Sequence, residues 1–139
     1  ADKYTMQVAL EPTAELDTLW PMYLDGLKFA KEEIARPSVR VMADINYFLK
    51  GNQPLEHIAT DPAYCLHVHI AGEHAQPGVG DLEHVYLDLF RILRDIGYTR
   101  GVSAACPWVS TDGGPVDFGK ETAKTLAYLK ALRERVYAE

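Results

Sequence analysis

Four residues of this sequence combine a metal-ligating side chain with a position where a β-favouring run gives way to a turn: Glu11, Asp44, His69 and Cys106. Two carboxylates and an imidazole suit manganese, magnesium, cobalt or zinc, and a thiolate pulls the preference towards zinc. The four are far apart in the chain, and the intervals 11–44, 44–69 and 69–106 are each compatible with one β–α unit. A divalent ion requires convergent ligands on rigid elements, so this chemistry exists only if the four strand ends lie along one edge. Blander readings stay open for each residue. Glu11 and Asp44 also read as solvated or capping carboxylates, His67 and His69 as satisfied structural histidines, and Cys106 as a small buried hydrophobe.

The elements that must position these residues follow from the pattern. Thr5 to Leu10 is β-favouring and stops at Glu11-Pro12, where proline removes a ladder donor. Asp17 and Thr18 are candidate N-caps for an amphipathic helix over about Leu19 to Ile34, with Pro21 in its first turn. Val39 to Ala43 predicts a second strand. Turn formers Gly51, Asn52 and Pro54 lead into a short helix through Leu55, His57 and Ile58, and Tyr64 to Ile70 predicts a third strand. After a loop over 71–81, Asp81 is the expected cap of a helix that Gly97 ends. Gly101 to Ala105 predicts a fourth strand, and a final helix runs to about Tyr137 with Lys and Arg late in it, as the helix dipole favours. Strands alternating with helices give an α/β class with a parallel sheet and right-handed crossovers.

Alternation along each strand then assigns faces. Ala9 and Gln7 lie behind Glu11, Met42 and Arg40 behind Asp44, His67 and Cys65 behind His69, and Ala104 and Val102 behind Cys106. The opposite face carries Val8, Leu10, Val41, Ala43, Leu66, Val68 and Ile70, apolar and suited to meeting helices. One face thus packs on helices while the other is mixed polar and small, like the inside of a barrel.

Taken together, the segments VALEP (8–12), VRVMADINY (39–47), LHVHIAGEHAQPGVGDLE (66–83) and IGYTRGVSAACPW (96–108) resemble the C-terminal half of the xylose isomerase-like TIM barrels. That superfamily includes sugar and sugar-phosphate isomerases, tagatose and psicose 3-epimerases, hydroxypyruvate isomerases and AP endonucleases. The resemblance implies four β–α units equivalent to half of a (β/α)₈ barrel, residues 1–139 forming one domain. It implies metal ligands at Glu11, Asp44 and His69, with proton transfer by two flanking glutamates through an enediolate. The second of those glutamates, which is also the fourth ligand, falls on Cys106. The strand-six histidine of many epimerases falls on Tyr47, and the arginine expected after the His-x-His loop has no counterpart among Glu73, His74, Ala75 and Gln76.

The expected function is therefore a sugar or small hydroxy-carbonyl isomerase or epimerase. Glu11 and Cys106 are its catalytic candidates, and Glu11, Asp44, His69 and Cys106 its metal candidates. His67, Tyr47, His74 and Trp108 are the candidate substrate contacts. The alternative is a non-catalytic half-barrel binding or assembly module with a degenerate metal site. Gly78-Val79-Gly80-Asp81 reads as a phosphate cradle or, more simply, as a turn before a helix.

Composition narrows the partners. The net charge of −6 disfavours a grip on nucleic-acid phosphates. No apolar run has the roughly 18 residues of a membrane span. Two cysteines without an export signal point to reduced thiols in a cytoplasmic setting. The chain opens on Ala1 rather than Met, consistent with a processed or excised piece. A complete barrel needs about 200 residues or more. Four units would leave two sheet edges open, and the expected remedy is a second copy completing the barrel about a two-fold axis.

Overall fold

The computed structural model describes residues 2–15, 18–72 and 74–139. Its centre is a four-stranded parallel sheet of β1 (Val8–Leu10), β2 (Val39–Asp44), β3 (Cys65–Ile70) and β4 (Val102–Ala104), ordered β1-β2-β3-β4. Helices alternate with the strands: α1 (Tyr23–Lys28), α2 (Ile45–Lys50), α3 (Glu83–Asp95) and α4 (Phe118–Tyr137). The class is α/β, as the alternation predicts. Among the described residues no helix is long and apolar enough to cross a membrane.

The chain divides into two compact units. The first holds residues 1–69 and 99–103, and the second holds 70–98 and 104–139. In the first, Tyr23, Leu27 and Ala30 are buried, as are Val41 and Ala43 of β2 and Cys65 and Val68 of β3. Each buried Leu or Val side chain among these contributes about 1.5–3 kcal/mol relative to exposure. A buried side-chain amide joins this core to the backbone, because Gln53 Oε1 accepts from Tyr23 N at 2.8 Å. In the second unit α3 buries Val85, Leu89, Phe90 and Leu93, and α4 buries Leu132 and Val136. Arg94 donates to the Val136 carbonyl at 2.7 Å and so satisfies an acceptor at the end of α4.

Several local expectations shift. The helix expected from Leu19 begins at Tyr23, leaving Pro21 outside it, and from Phe29 to Ile34 it winds as a π-helix. Asp17 lies outside the described residues, and Thr18 donates to the Glu15 carbonyl rather than capping a helix. β1 starts at Val8, since Thr5 at φ 54° breaks the extended run. Leu82, not Asp81, is the N-cap residue of α3, without a side-chain bond. Gly97 does close that helix, at φ 65°, a conformation costly for residues with a Cβ. Asp117 caps α4, accepting from Lys120 N at 3.1 Å.

Candidate functional site

Glu11, Asp44 and His69 converge. Each offers one ligand atom, and the three atoms lie within 4.8 Å of one another. Asp44 and His69 are register partners at the ends of the adjacent strands β2 and β3. Glu11 directly follows β1, which pairs with β2. His69 Nδ1 lies 3.2 Å from Asp44 Oδ2 and 3.4 Å from Glu11 Oε1. Accessibility is graded across the three: the Asp44 side chain is 8% exposed, His69 24% and Glu11 36%.

Asp44 has two roles, one per oxygen. Its Oδ1 accepts from Asn46 N at 2.8 Å and caps α2, a helix the sequence pattern did not announce. That bond fixes the carboxylate plane and leaves Oδ2 facing the imidazole. The capping reading and the ligand reading of Asp44 are thus compatible in one side chain.

The donor set fits a divalent cation. Ligand atoms about 2.0–2.2 Å from one ion lie roughly 3 to 3.5 Å apart in tetrahedral or octahedral arrangements, and the imidazole stands at such distances from both carboxylates. Two carboxylates facing one imidazole also bring more acceptors than donors, a balance that a cation corrects.

One residue further back along β3 the alternation reading needs correction. Val41 pairs with Cys65 and Met42 with His67, so Leu66 is an extra residue in a β-bulge. The bulge reverses the facing of everything before it. Cys65 turns to the side of Val41 and is fully buried, whereas Leu66 and His67 are both half-buried. Cys65 therefore does not lie behind His69, and Leu66 does not join the helix-packed face. The Cys65 thiol is in hydrogen-bonding contact with Tyr23 of α1, and burial pushes it up to about 11.

His67 does share the face of His69, its ring edge-on at 5.3 Å. Its Nε2 lies 2.9 Å from Ser103 Oγ. Burial and then the neighbouring His69 hold its imidazole below the ordinary value. Ser103, rather than Ala104 or Val102, is thus the β4 residue that reaches this layer. Counting back from Cys106 missed it because β4 ends at Ala104 and the alternation does not extend across Ala105. Gly101 lines the same imidazole; a Cβ there would sit 3.4 Å from His67 Cε1.

Tyr47 stands on α2, half-buried. Burial, then the charges of Glu11 and Asp44, push its phenol up, so it is a neutral O–H donor. The remaining candidates belong to the second unit. Cys106 is half-buried beyond β4, and His74 is exposed in the loop after β3. Trp108 meets Phe118 edge-on at 6.5 Å. Glu73 lies outside the described residues.

No protein-family profile and no curated protein sequence matches the chain. Solved structures do match it. The crystal structure of 3-keto-D-glucoside 4-epimerase from E. coli is similar over 94% of this chain and 48% of its own, with a TM-score of 0.81 and 22% identity. D-Psicose 3-epimerase from Clostridium cellulolyticum H10, solved with D-tagatose, is similar over 90% of this chain and 48% of its own, at TM-score 0.75 and 19% identity. The chain spans about half the length of each of these structures. These likenesses establish its fold as that of half of a TIM barrel.

Proposed function

We propose that the chain serves a metal-dependent isomerase or epimerase reaction on a sugar or small hydroxy-carbonyl compound. The observation that carries this reading is the convergence of Glu11, Asp44 and His69 at the ends of adjacent parallel strands, where α/β folds of this kind collect their chemistry. These three residues would hold manganese, magnesium, cobalt or zinc. When bound, such an ion polarises carbonyl and hydroxyl oxygens and favours the negative charge that develops on enolisation.

The chain's own groups supply the proton traffic. Glu11 has the most accessible of the three side chains and is assigned the proton abstraction. The C–H bond next to the carbonyl breaks, the proton goes to the carboxylate, and the electron pair moves onto the carbonyl oxygen as an enediolate. Return of a proton to the former carbonyl carbon, with the hydroxyl proton of the adjacent carbon passing to the enediolate oxygen, moves the carbonyl. Return to the opposite face of the same carbon inverts the centre. Cys106 is assigned the second proton transfer on its sequence position alone, a role a thiol fills when its acidity is tuned. Tyr47 and His67 are assigned contacts to substrate hydroxyls, the first as a donor and the second held in orientation by Ser103. His74 and Trp108 complete the proposed contact set.

The test pairs binding with turnover. Titration with cobalt, read by its visible spectrum, should give one site that Glu11→Ala, Asp44→Ala and His69→Ala each weaken. The cobalt-loaded protein should invert the carbon next to the carbonyl of a ketohexose such as D-psicose or D-tagatose, or epimerise a 3-keto-glucoside. Full binding without turnover would favour the second reading, a binding or assembly module, which the cysteine at position 106 supports. Absence of both would sink the proposal.

We further propose that a second copy covers the open sheet edges. Val8 on β1 is 43% exposed and Val102 on β4 36% exposed, and exposed edge strands are templates for pairing. Sedimentation at micromolar concentration should show a dimer; a strict monomer would overturn this part.

A further inference from the structure

We infer that Gln76, Thr111 and Glu121 form a brace that fixes the segment after β4, which carries Cys106 and Trp108. The Gln76 side chain treats that segment as a neighbouring strand would. Its Nε2 donates to the Val109 carbonyl at 2.9 Å, and its Oε1 accepts from Val109 N at 2.9 Å. A side-chain amide thus satisfies both backbone groups of one residue. The arrangement is held from behind by Glu121 on α4, whose Oε2 accepts from Gln76 Nε2 at 3.3 Å. Thr111 closes the other end: its hydroxyl donates to the Glu121 carboxylate at 2.9 and 3.1 Å, and its N–H donates at 3.3 Å. Lys124 supplies the countercharge, 3.2 Å from Glu121 Oε1, and also meets Thr111 Oγ1.

Burial makes the brace costly to break. Gln76 is 1% exposed and Glu121 2%, so a lost bond leaves a polar group unpaired away from water. Burial pushes the Glu121 carboxyl up, but the bonds from Thr111 and then Lys124 outweigh it and hold the group below its ordinary value. The cavity beside the brace, about 150 Å³ between Pro77, Val79 and Tyr128, is smaller than ordinary ligand pockets. These polar groups are engaged with one another, which marks a positioning device and not a binding site. The loop bearing Cys106 and Trp108 is therefore set in place by the fold before any ligand arrives.

What this does for a substrate rests on the proposed function, but the brace can be read without turnover. In a Trp20→Phe background Trp108 is the remaining tryptophan, and acrylamide quenching well below the melting transition reports its exposure. Gln76→Leu and Thr111→Val should both raise that quenching, and Thr111→Val should speed hydrogen exchange at the Val109 amide about tenfold. Thr111→Val changes an exposed residue only, so it decides the matter if Gln76→Leu fails to fold. Rescue is expected with Thr111→Ser, which restores the hydroxyl. A lower melting temperature with unchanged quenching and exchange would overturn the inference. Absence of turnover in the native protein, with the brace intact by quenching and exchange, would count against the proposed function alone.

Discussion

The two compact units treat their clustered carboxylates in opposite ways. In the first, Glu11 and Asp44 bring two carboxylates to a single imidazole, so their acceptors outnumber the donors among the three. In the second, Glu121 is met by the Thr111 hydroxyl, the Thr111 amide, Lys124 and Gln76. The first cluster is short of donors; in the second the donors are in place. A carboxylate in a cleft is therefore weak evidence of function until its donors are counted, because burial and charge alone would have ranked Glu121 above Glu11.

The contrast is sharpest with a metal ion. Manganese or cobalt at a hundredfold excess over its dissociation constant should stabilise the protein by about 2.7 kcal/mol. In hydrogen exchange that protection should fall on β1 to β3, with little at the Gln76–Glu121 brace. Asp44→Asn keeps an oxygen to cap α2 but removes an anionic ligand, so the metal-dependent gain should vanish while the apo protein stays folded. Asp44→Ala loses the cap as well, at about 1 kcal/mol more in the apo state. Equal metal protection of both units, or an undiminished gain in Asp44→Asn, would break the comparison.

A smaller, graded effect is expected from acid. The Glu121 carboxyl is held below its ordinary value of 4.5, so the folded state resists protonation there. Its contribution is present above that value and drains away as the pH falls below it. Thermal melts of the native protein and Glu121→Gln should therefore differ most near neutrality and converge on acidification. A gap that widens in acid would show that the brace is not held by the ionised form.

Much of this arrangement is legible in the sequence because it depends on periodic features. Alternating strand and helix patterns give the α/β class, and reading the residue at each strand end finds Glu11, Asp44 and His69 without knowing their distances. What escapes are features that break periodicity or depend on contacts distant in sequence. Leu66 looks like one more alternating apolar residue, yet as a bulge it reverses the faces of Cys65 and Leu66. Ser103 is hidden by a count carried beyond the end of β4. The six-residue α2 is too short to show a helical period, and only the Asp44–Asn46 cap could have announced it. Gln76 and Glu121 are 45 residues apart, and nothing local in either segment reveals the brace.

The bulge at Leu66 also sorts chemistry by hardness. A thiolate on the face of His67 and His69 would offer a soft third donor and draw zinc or copper(I) to that part of the strand. With the bulge, Cys65 is fully buried against Tyr23 and its thiol stays protonated, while the open end of the sheet keeps a carboxylate–imidazole set. A single-residue deletion at position 66 would remove the bulge yet leave Cys65 opposite Val41 and His67 opposite Met42, so the sulfur stays on the far side from the imidazoles and only Leu66 is lost.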